Sequence, residues 1–271
     1  MKTLFWNYIS QVREKSPLVH NITNMVVMNN TANALLAAGA SPIMAHAQSE
    51  VKDMMQICNA LVINMGTLDE YTVESMELAA IQANDLSKPW LFDPVGVGAT
   101  PYRNEVAARL LALKPTVIRG NASEIIALAN QASIESKGVD STHATNQAID
   151  AGKYLVKEYG SIVSISGAED VIITDNKMIT VYNGAALMTK VTGLGCSVSA
   201  VIGGFIGLGA EDKSKLFEQV AAATTYFSIC GEVAAQSAKG PGSLQMNLLD
   251  TLFNLDELTF NQTLNISTSE F

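Results

Sequence analysis

Positive charge is scarce in this chain. Its 271 residues carry 17 Lys and Arg against 26 Asp and Glu, a formal net charge of −9. Non-specific nucleic-acid binding draws on cationic side chains, so that class is excluded. Any phosphorylated ligand must be held by local backbone dipoles, a few cations or a metal, because the global field repels it. Charge of either sign is thin, at 16% of residues against 48% hydrophobic, which points to surface buried between subunits. Cysteine is also sparse. Cys58, Cys196 and Cys230 are odd in number and lack metal-ligand spacing, which fits free thiols in a reducing compartment. His20, His46 and His143 lack such spacing too. The N-terminal Met1-Lys2-Thr3-Leu4-Phe5-Trp6 has no sustained apolar region or small-residue cleavage site. The apolar run from Val198 to Ala210 is broken by glycines and too short to span a bilayer. A cytoplasmic protein is expected, with neither nucleic acid nor membrane as partner. No Gly-x-Ser-x-Gly elbow and no Gly-x-x-x-x-Gly-Lys-Ser/Thr loop is present, so a phosphoryl-transfer enzyme would need another phosphate cradle.

What the chain does have is Thr192-Gly193-Leu194-Gly195-Cys196 ahead of an apolar run. This reads as a tight glycine turn opening a buried helix. Gly193 and Gly195 let the backbone turn sharply and approach a ligand. The first amides of a helix lack intrahelical partners, and with the helix dipole they attract an anion, above all a phosphate. Cys196 falls in that first turn, where the same field is expected to favour a thiolate.

No linker or low-complexity run divides the chain, so one α/β domain over residues 1–271 is expected. Short apolar strands alternate with helices. Strands are expected at Pro17 to Asn21, Ser41 to Ala45, Ala60 to Asn64, Trp90 to Asp93, Thr116 to Arg119 and Ser161 to Ile165. Helices are expected between them, one capped by Thr23 or Asn24 and stopped by Gly39. Asp170 to Thr174 and Lys177 to Tyr182 read as a hairpin turning at Asp175-Asn176. After Cys196 the chain is mostly helical, and the polar stretch from about Leu258 to Phe271 is expected to be loosely ordered. The pattern implies a mostly parallel sheet covered on both faces. Ligands of such sheets bind outside the carboxyl ends of the strands.

Polar residues fall where those strands end. Asp93 closes an apolar strand before Pro94-Val95-Gly96-Val97-Gly98 and could act on a Mg²⁺–nucleotide or cap a turn. Arg119 ends another, ahead of Asn121 and Glu124, whose spacing is also that of a capping box. Glu124 could stand near a hydrated metal and Arg119 near phosphate oxygens. Ser166-Gly167 suits a nucleotide phosphate or ribose. Asn24, Met25 and Val26 with Met44 could form a small apolar site for a flat heterocycle, or be ordinary core.

These segments resemble, in order, the hydroxyethylthiazole kinase family of the ribokinase-like superfamily. The resemblance covers about Pro17 to Leu252. It is carried by Ile22-Thr23-Asn24 through Val27, Ala38 to Ala45, Asp93 to Thr100, Arg119 to Glu124, Val191 to Cys196 and Gly240-Pro241-Gly242-Ser243. It implies a central, mostly parallel sheet flanked by helices and without the lid of sugar kinases. It implies a homotrimer with active sites at subunit interfaces. It implies ATP-dependent, Mg²⁺-assisted phosphorylation of the primary alcohol of 4-methyl-5-(2-hydroxyethyl)thiazole in thiamine salvage. By resemblance Met44 and Gly193 bind the thiazole with Asn24 and Val26 nearby, Arg119 and Ser166 bind ATP, and Asp93 and Glu124 surround the metal. Cys196 stands where most ribokinase-like enzymes place an aspartate base, beside the anion-binding glycines Gly193 and Gly195. Leu194 departs from the family's usual threonine, which is expected to remove a hydroxyl from the anion hole. Rival readings are a kinase of a pyrimidine or pyridoxal alcohol, a binding protein without turnover, and a hydrolase or lyase on the same fold.

Overall fold

The computed structural model describes residues 1–132 and 144–271; His143 lies outside them. The chain starts with α1 (Lys2–Lys15), β1 (Leu18–Ile22), α2 (Met28–Ala38), β2 (Ser41–Ile43) and α3 (Val51–Ile57). Strands and helices then alternate, with two helices before β6: β3 (Ala60–Asn64), α4 (Glu70–Asp85), β4 (Trp90–Asp93), α5 (Pro101–Ala112), β5 (Val117–Asn121), α6 (Ala122–Ala132), α7 (Ala144–Tyr159) and β6 (Ile162–Ser166). The hairpin β7 (Asp170–Ile173) and β8 (Lys177–Val181) leads through a 3₁₀ turn at Ala186–Lys190 to α8 (Leu194–Ile206), α9 (Lys213–Ser237) and α10 (Pro241–Asn254). The chain closes with α11 (Glu257–Thr263) and β9 (Ile266–Glu270).

Among the described residues nine strands form one sheet in the order β2-β1-β3-β4-β5-β6-β7-β8-β9. The first six run parallel and the last three pair antiparallel. Alternate strand residues serve opposite faces, as the strand period requires. Ala60, Val62, Leu91 and Val117 join the core beneath α1, α2, α8, α9 and α10. Leu61, Ile63, Phe92 and Ile118 join the core beneath α3 to α7. Chain order reverses between β1 and β3, so α2 leaves toward one face while α3 and α4 cover the other. That divergence opens a crevice at the carboxyl ends of these two strands, the switch point where such sheets bind ligands.

α8 lies close against the sheet because glycine lets it. A Cβ on Gly203 would sit 2.5 Å from Val62 and 2.9 Å from Val19, too near for any side chain. Its flanking residues are all apolar and buried, so the helix is fixed in depth as well as direction.

Three expectations need correction. The C-terminal stretch is ordered: β9 pairs with β8 from Lys177↔Glu270 to Val181↔Ile266, and Lys153 stands 3.8 Å over the ring of Phe271. Its hydroxyl-rich sequence becomes a strand because β8 offers an open edge. Neither Thr23 nor Asn24 caps α2, which starts at Met28 after a turn and has no side-chain cap; Asn24 is bonded elsewhere. α5 starts at Pro101 with Thr100 as its cap, earlier than the apolar pattern suggests, since Pro at the first helical position suits the fixed φ.

Candidate active site

The sequence places Asn24 just past β1, Asn64 at the end of β3, Asp93 at the end of β4 and Arg119 near the end of β5. The register sets Asn64 directly beside Asp93. α8 begins above them. Gly193 has φ 82°, and a Cβ there would lie 2.5 Å from Val27. Only glycine both takes that left-handed conformation and lets the turn rest on the Val27 side chain. Ser197 is the first residue to bond back, to the Gly193 carbonyl at 2.9 Å. The amides of Leu194, Gly195 and Cys196 therefore have no helical acceptor, the expected anion cradle.

Beneath this turn lies a buried polar chain. Asp93 is almost wholly buried. Its Oδ2 accepts from Asn64 Nδ2 at 2.7 Å and from Ser199 Oγ at 2.7 Å, and its Oδ1 is buried without a partner among the described residues. Asn64 Oδ1 accepts from Asn24 Nδ2 at 2.8 Å and from the Gly66 amide at 3.0 Å. Asn24 Nδ2 also donates to Cys196 Sγ at 3.3 Å. Burial pushes the Asp93 carboxyl up to about 6, while Arg119, Ser199 and Asn64 pull it back and Glu124 adds to the rise. Its side chain does not cap a turn.

Cys196 departs from expectation. Burial pushes its thiol up to about 11, the charge of Asp93 adds to the rise, and Asn24, Asn64 and Arg119 offset only part of it. The helix dipole does not produce a thiolate here, because desolvation of a small anion beside a carboxylate outweighs it.

Leu194 is half-buried. Its side chain lines a small cavity with Asn30, Ala34, Ser197, Phe227, Gln245, Leu248 and Leu249. It belongs to the packing of α2, α8, α9 and α10.

Arg119 is buried under the first turn of α8 and donates from Nη1 to the Gly195 carbonyl at 3.0 Å. Ser166, half-buried at the end of β6, pairs in register with Asn121. The turn after it is fixed by Asp170, whose carboxylate accepts from the Gly167 amide at 3.2 Å and from Ser228 Oγ at 2.9 Å. Burial raises the Asp170 carboxyl, with Arg119 opposing. Glu124 forms the capping box with Asn121, its amide bonding Asn121 Oδ1 at 3.0 Å and its Oε2 accepting the Asn121 amide at 2.8 Å. Glu124 Oε1 accepts the Gly96 amide at 3.0 Å, which ties the loop after Asp93 to α6.

On the other side of the crevice, His46 joins Met44 to the Asn24 turn. Its Nδ1 lies 2.9 Å from the Met44 carbonyl oxygen, and its Nε2 lies 3.2 Å from the Thr23 amide nitrogen and 3.1 Å from the Thr23 carbonyl oxygen. Met44 is half-buried. Val26 is 66% exposed and Met25 70%, on a turn anchored by the Met25 amide to Thr67 Oγ1 at 3.0 Å. Arg103 donates to the carbonyls of Met65 at 2.6 Å, Val95 at 2.7 Å and Gly66 at 2.7 Å, holding the loops after β3 and β4 together.

Asn64, Ser199, Gly66, His46 and Arg103 escape sequence reasoning. Asn64 carries a signal, since it ends an apolar strand just as Asp93 does. Ser199 lies on the Asp93 side of α8 only because the helix starts where it does.

Among the described residues no group of three or more His, Cys, Asp or Glu is placed to hold a metal. Two carboxylates are enough for Mg²⁺, which keeps several waters and takes substrate phosphates as ligands. Asp93 Oδ1, buried and without a partner among the described residues, is an oxygen that a cation could take, and Glu124 adds a second carboxylate, tied to the loop after Asp93.

Comparison with known proteins follows the same lines. The model of the hydroxyethylthiazole kinase family matches residues 9–258. A hydroxyethylthiazole kinase of Syntrophus aciditrophicus is 49% identical over 266 residues, 98% of this chain and 97% of that protein. One from Leptospira biflexa is 51% identical over 255 residues, 94% of each. The solved hydroxyethylthiazole kinase of Pyrococcus horikoshii superposes with a TM-score of 0.90 at 39% identity over all of both chains. A pyridoxal kinase of Staphylococcus aureus shares the fold, with a TM-score of 0.66 at 13% identity over 94% of this chain and 99% of that one.

Proposed function

The chain belongs to the hydroxyethylthiazole kinase family, and from that premise we propose how its residues phosphorylate the primary alcohol of 4-methyl-5-(2-hydroxyethyl)thiazole with ATP in thiamine salvage. Asn24, Val26, Met44 and Gly193 receive the thiazole in the crevice between β1 and β3. Arg119 and Ser166 receive the nucleotide beyond β5 and β6. The observation that carries this reading is the 3.3 Å contact from Asn24 to Cys196. It brings the turn assigned to the alcohol against the helix start assigned to the transferring phosphoryl group.

Phosphoryl transfer has a loose transition state, so the protein mainly positions the reactants and meets charge on the equatorial oxygens. The amides of Leu194, Gly195 and Cys196 supply that charge from a backbone already in place. Arg119 holds the Gly195 carbonyl from below and brings the buried positive charge of the site under the same turn. Asp93 and Glu124 would hold Mg²⁺, in part through water, and the ion would neutralise charge on the polyphosphate. Cys196 is a thiol at rest, and a loose transition state needs little early removal of the alcohol proton. Its part is to fill the space beside the alcohol and to accept from Asn24.

A homotrimer with sites between subunits fits the exposed Met25 and Val26, which a neighbouring copy would cover. Among the described residues no helix is long and apolar enough to cross a membrane.

The test is product formation from ATP, Mg²⁺ and the thiazole, read by mass spectrometry, with hydroxymethylpyrimidine and pyridoxal in parallel. Phosphorylated thiazole well ahead of the other products is expected. Preferential phosphorylation of another alcohol overturns the substrate, and binding without product overturns turnover.

A further inference from the structure

The polar chain under α8 has a fixed direction, and that direction has a chemical result. The amide of Gly66 is a backbone donor, so the Asn64 atom it meets at 3.0 Å is the carbonyl Oδ1. Asn64 Nδ2 then faces Asp93 Oδ2 at 2.7 Å, as a donor facing a carboxylate should. The Asn24 atom lying 2.8 Å from Asn64 Oδ1 must in turn be a donor, its Nδ2. That nitrogen also meets Cys196 Sγ at 3.3 Å, so both of its protons are committed. Asn24 Oδ1 remains, and among the described residues it has no hydrogen-bond partner. The Asn24 amide is thus not free to flip: it presents an acceptor to the crevice.

Gly66 supports the same side chain from beneath. A Cβ there would lie 2.6 Å from Asn24 Nδ2 and 2.8 Å from its Cβ and Cγ. Asn64-Met65-Gly66 is therefore a cradle for one asparagine, and Arg103 clamps its last two carbonyls.

We propose that Asn64 is a positioning residue that holds Asn24 with its oxygen toward the substrate, so that Asn24 Oδ1 accepts the hydrogen of the alcohol. This rests on the reading of Asn24 as an alcohol-binding residue. With its hydrogen held by Asn24, the hydroxyl turns a lone pair toward the phosphoryl group. The site thereby selects a ligand bearing a donor hydrogen on its side arm.

The experiment is a binding measurement without ATP, by titration calorimetry, on the full chain. The ligands are 4-methyl-5-(2-hydroxyethyl)thiazole and its 5-ethyl analogue, which lacks only the hydroxyl. The wild type is expected to prefer the alcohol by about tenfold or more, the value of one hydrogen bond to a buried acceptor. Asn64→Leu, close in volume but without polar atoms, is expected to reduce that preference to within about twofold while affinity for the ethyl analogue changes by less than about threefold. Gly66→Ala leaves the partners of Asp93 in place, displaces Asn24 by contact alone, and is expected to reduce the preference likewise. In turnover, both variants should raise KM for the alcohol more than KM for ATP. A preference that survives in both variants, or equal loss of affinity for both ligands, overturns the inference. Equal wild-type affinity for the two ligands overturns it as well. A wild type that binds neither thiazole overturns the substrate assignment, and the inference falls with it.

Discussion

The thiol of Cys196 should behave as a slow, high-pKa nucleophile despite its place in the first turn of a helix. With its pKa pushed up to about 11 by burial and by Asp93, the thiolate fraction at pH 7.5 is about 3 × 10⁻⁴, against about 0.1 for an unperturbed cysteine near 8.5. That is roughly 300-fold less of the reactive form. A thiolate of higher pKa is intrinsically more nucleophilic, with a Brønsted slope of about 0.4–0.5, which restores roughly tenfold. Net reaction with an aromatic disulfide reagent should be about 20- to 30-fold slower than with a free thiol, before any steric hindrance. The raised pKa also fixes the sign of the pH dependence: the rate should climb tenfold per pH unit from 7 to about 10 without a plateau. Cys58 and Cys230 are fully buried, so a Cys196→Ser control identifies the reacting residue. A plateau below pH 8, or a rate equal to that of a free thiol, would refute the balance of burial over dipole argued above. The same balance predicts that Cys196→Ala lowers kcat by about 10²-fold or less, the low end for general acid–base catalysis. Complete loss of turnover in a folded, ligand-binding variant would show that the thiol is indispensable.

Leu194→Thr should change kcat less than about threefold, because its side chain faces the cavity between α2, α9 and α10, while urea unfolding should show a loss of about 1–2 kcal/mol from a buried hydroxyl and lost packing. A large gain in kcat would place the side chain in the anion cradle after all. Gly203→Ala should cost about 1–3 kcal/mol by forcing α8 off Val62 and Val19, and a second change, Val62→Ala, should recover part of it; an unaltered melting temperature in the single variant would contradict the packing. Arg103→Ala removes a charged donor from three carbonyls and should destabilise by about 2 kcal/mol or more, with KM for the alcohol rising as the Gly66 loop loosens. Unchanged stability and unchanged KM would remove Arg103 from the support of the site.

The sheet was legible because β3 to β6 are short, mostly apolar runs separated by helices of ordinary length, so their pattern admits few other arrangements. Asp93, Arg119 and Ser166 stood out as polar residues closing such strands. β9 did not, because Ile266-Ser267-Thr268-Ser269-Glu270 has no apolar face and is a strand only by pairing with β8. Asn24 looked like a helix cap, a local role that its bond to Asn64 supersedes. The glycine turn before Cys196 was readable as a helix start, but the depth at which the thiol sits was not. Depth depends on the approach of α8 to Val19 and Val62, residues far away in the chain. The direction of Leu194 likewise depends on a helical phase that one residue's difference in starting point turns by about 100°.

Asn24 and Cys196, in contact across the site, are 172 residues apart in the chain. At about 5–20 residues per second, a ribosome needs roughly ten to thirty seconds between making one and making the other. Through that interval β1, β3 and β4 have emerged with Asn24, Asn64 and Asp93, but the helix that roofs them has not. The nascent sheet must keep one face open, with polar strand ends in water and the valines that will meet Gly203 uncovered. The site is completed only when α8 arrives, after β1 to β8 have been made. A chain interrupted before residue 194 would carry nearly the whole sheet and none of the enzyme.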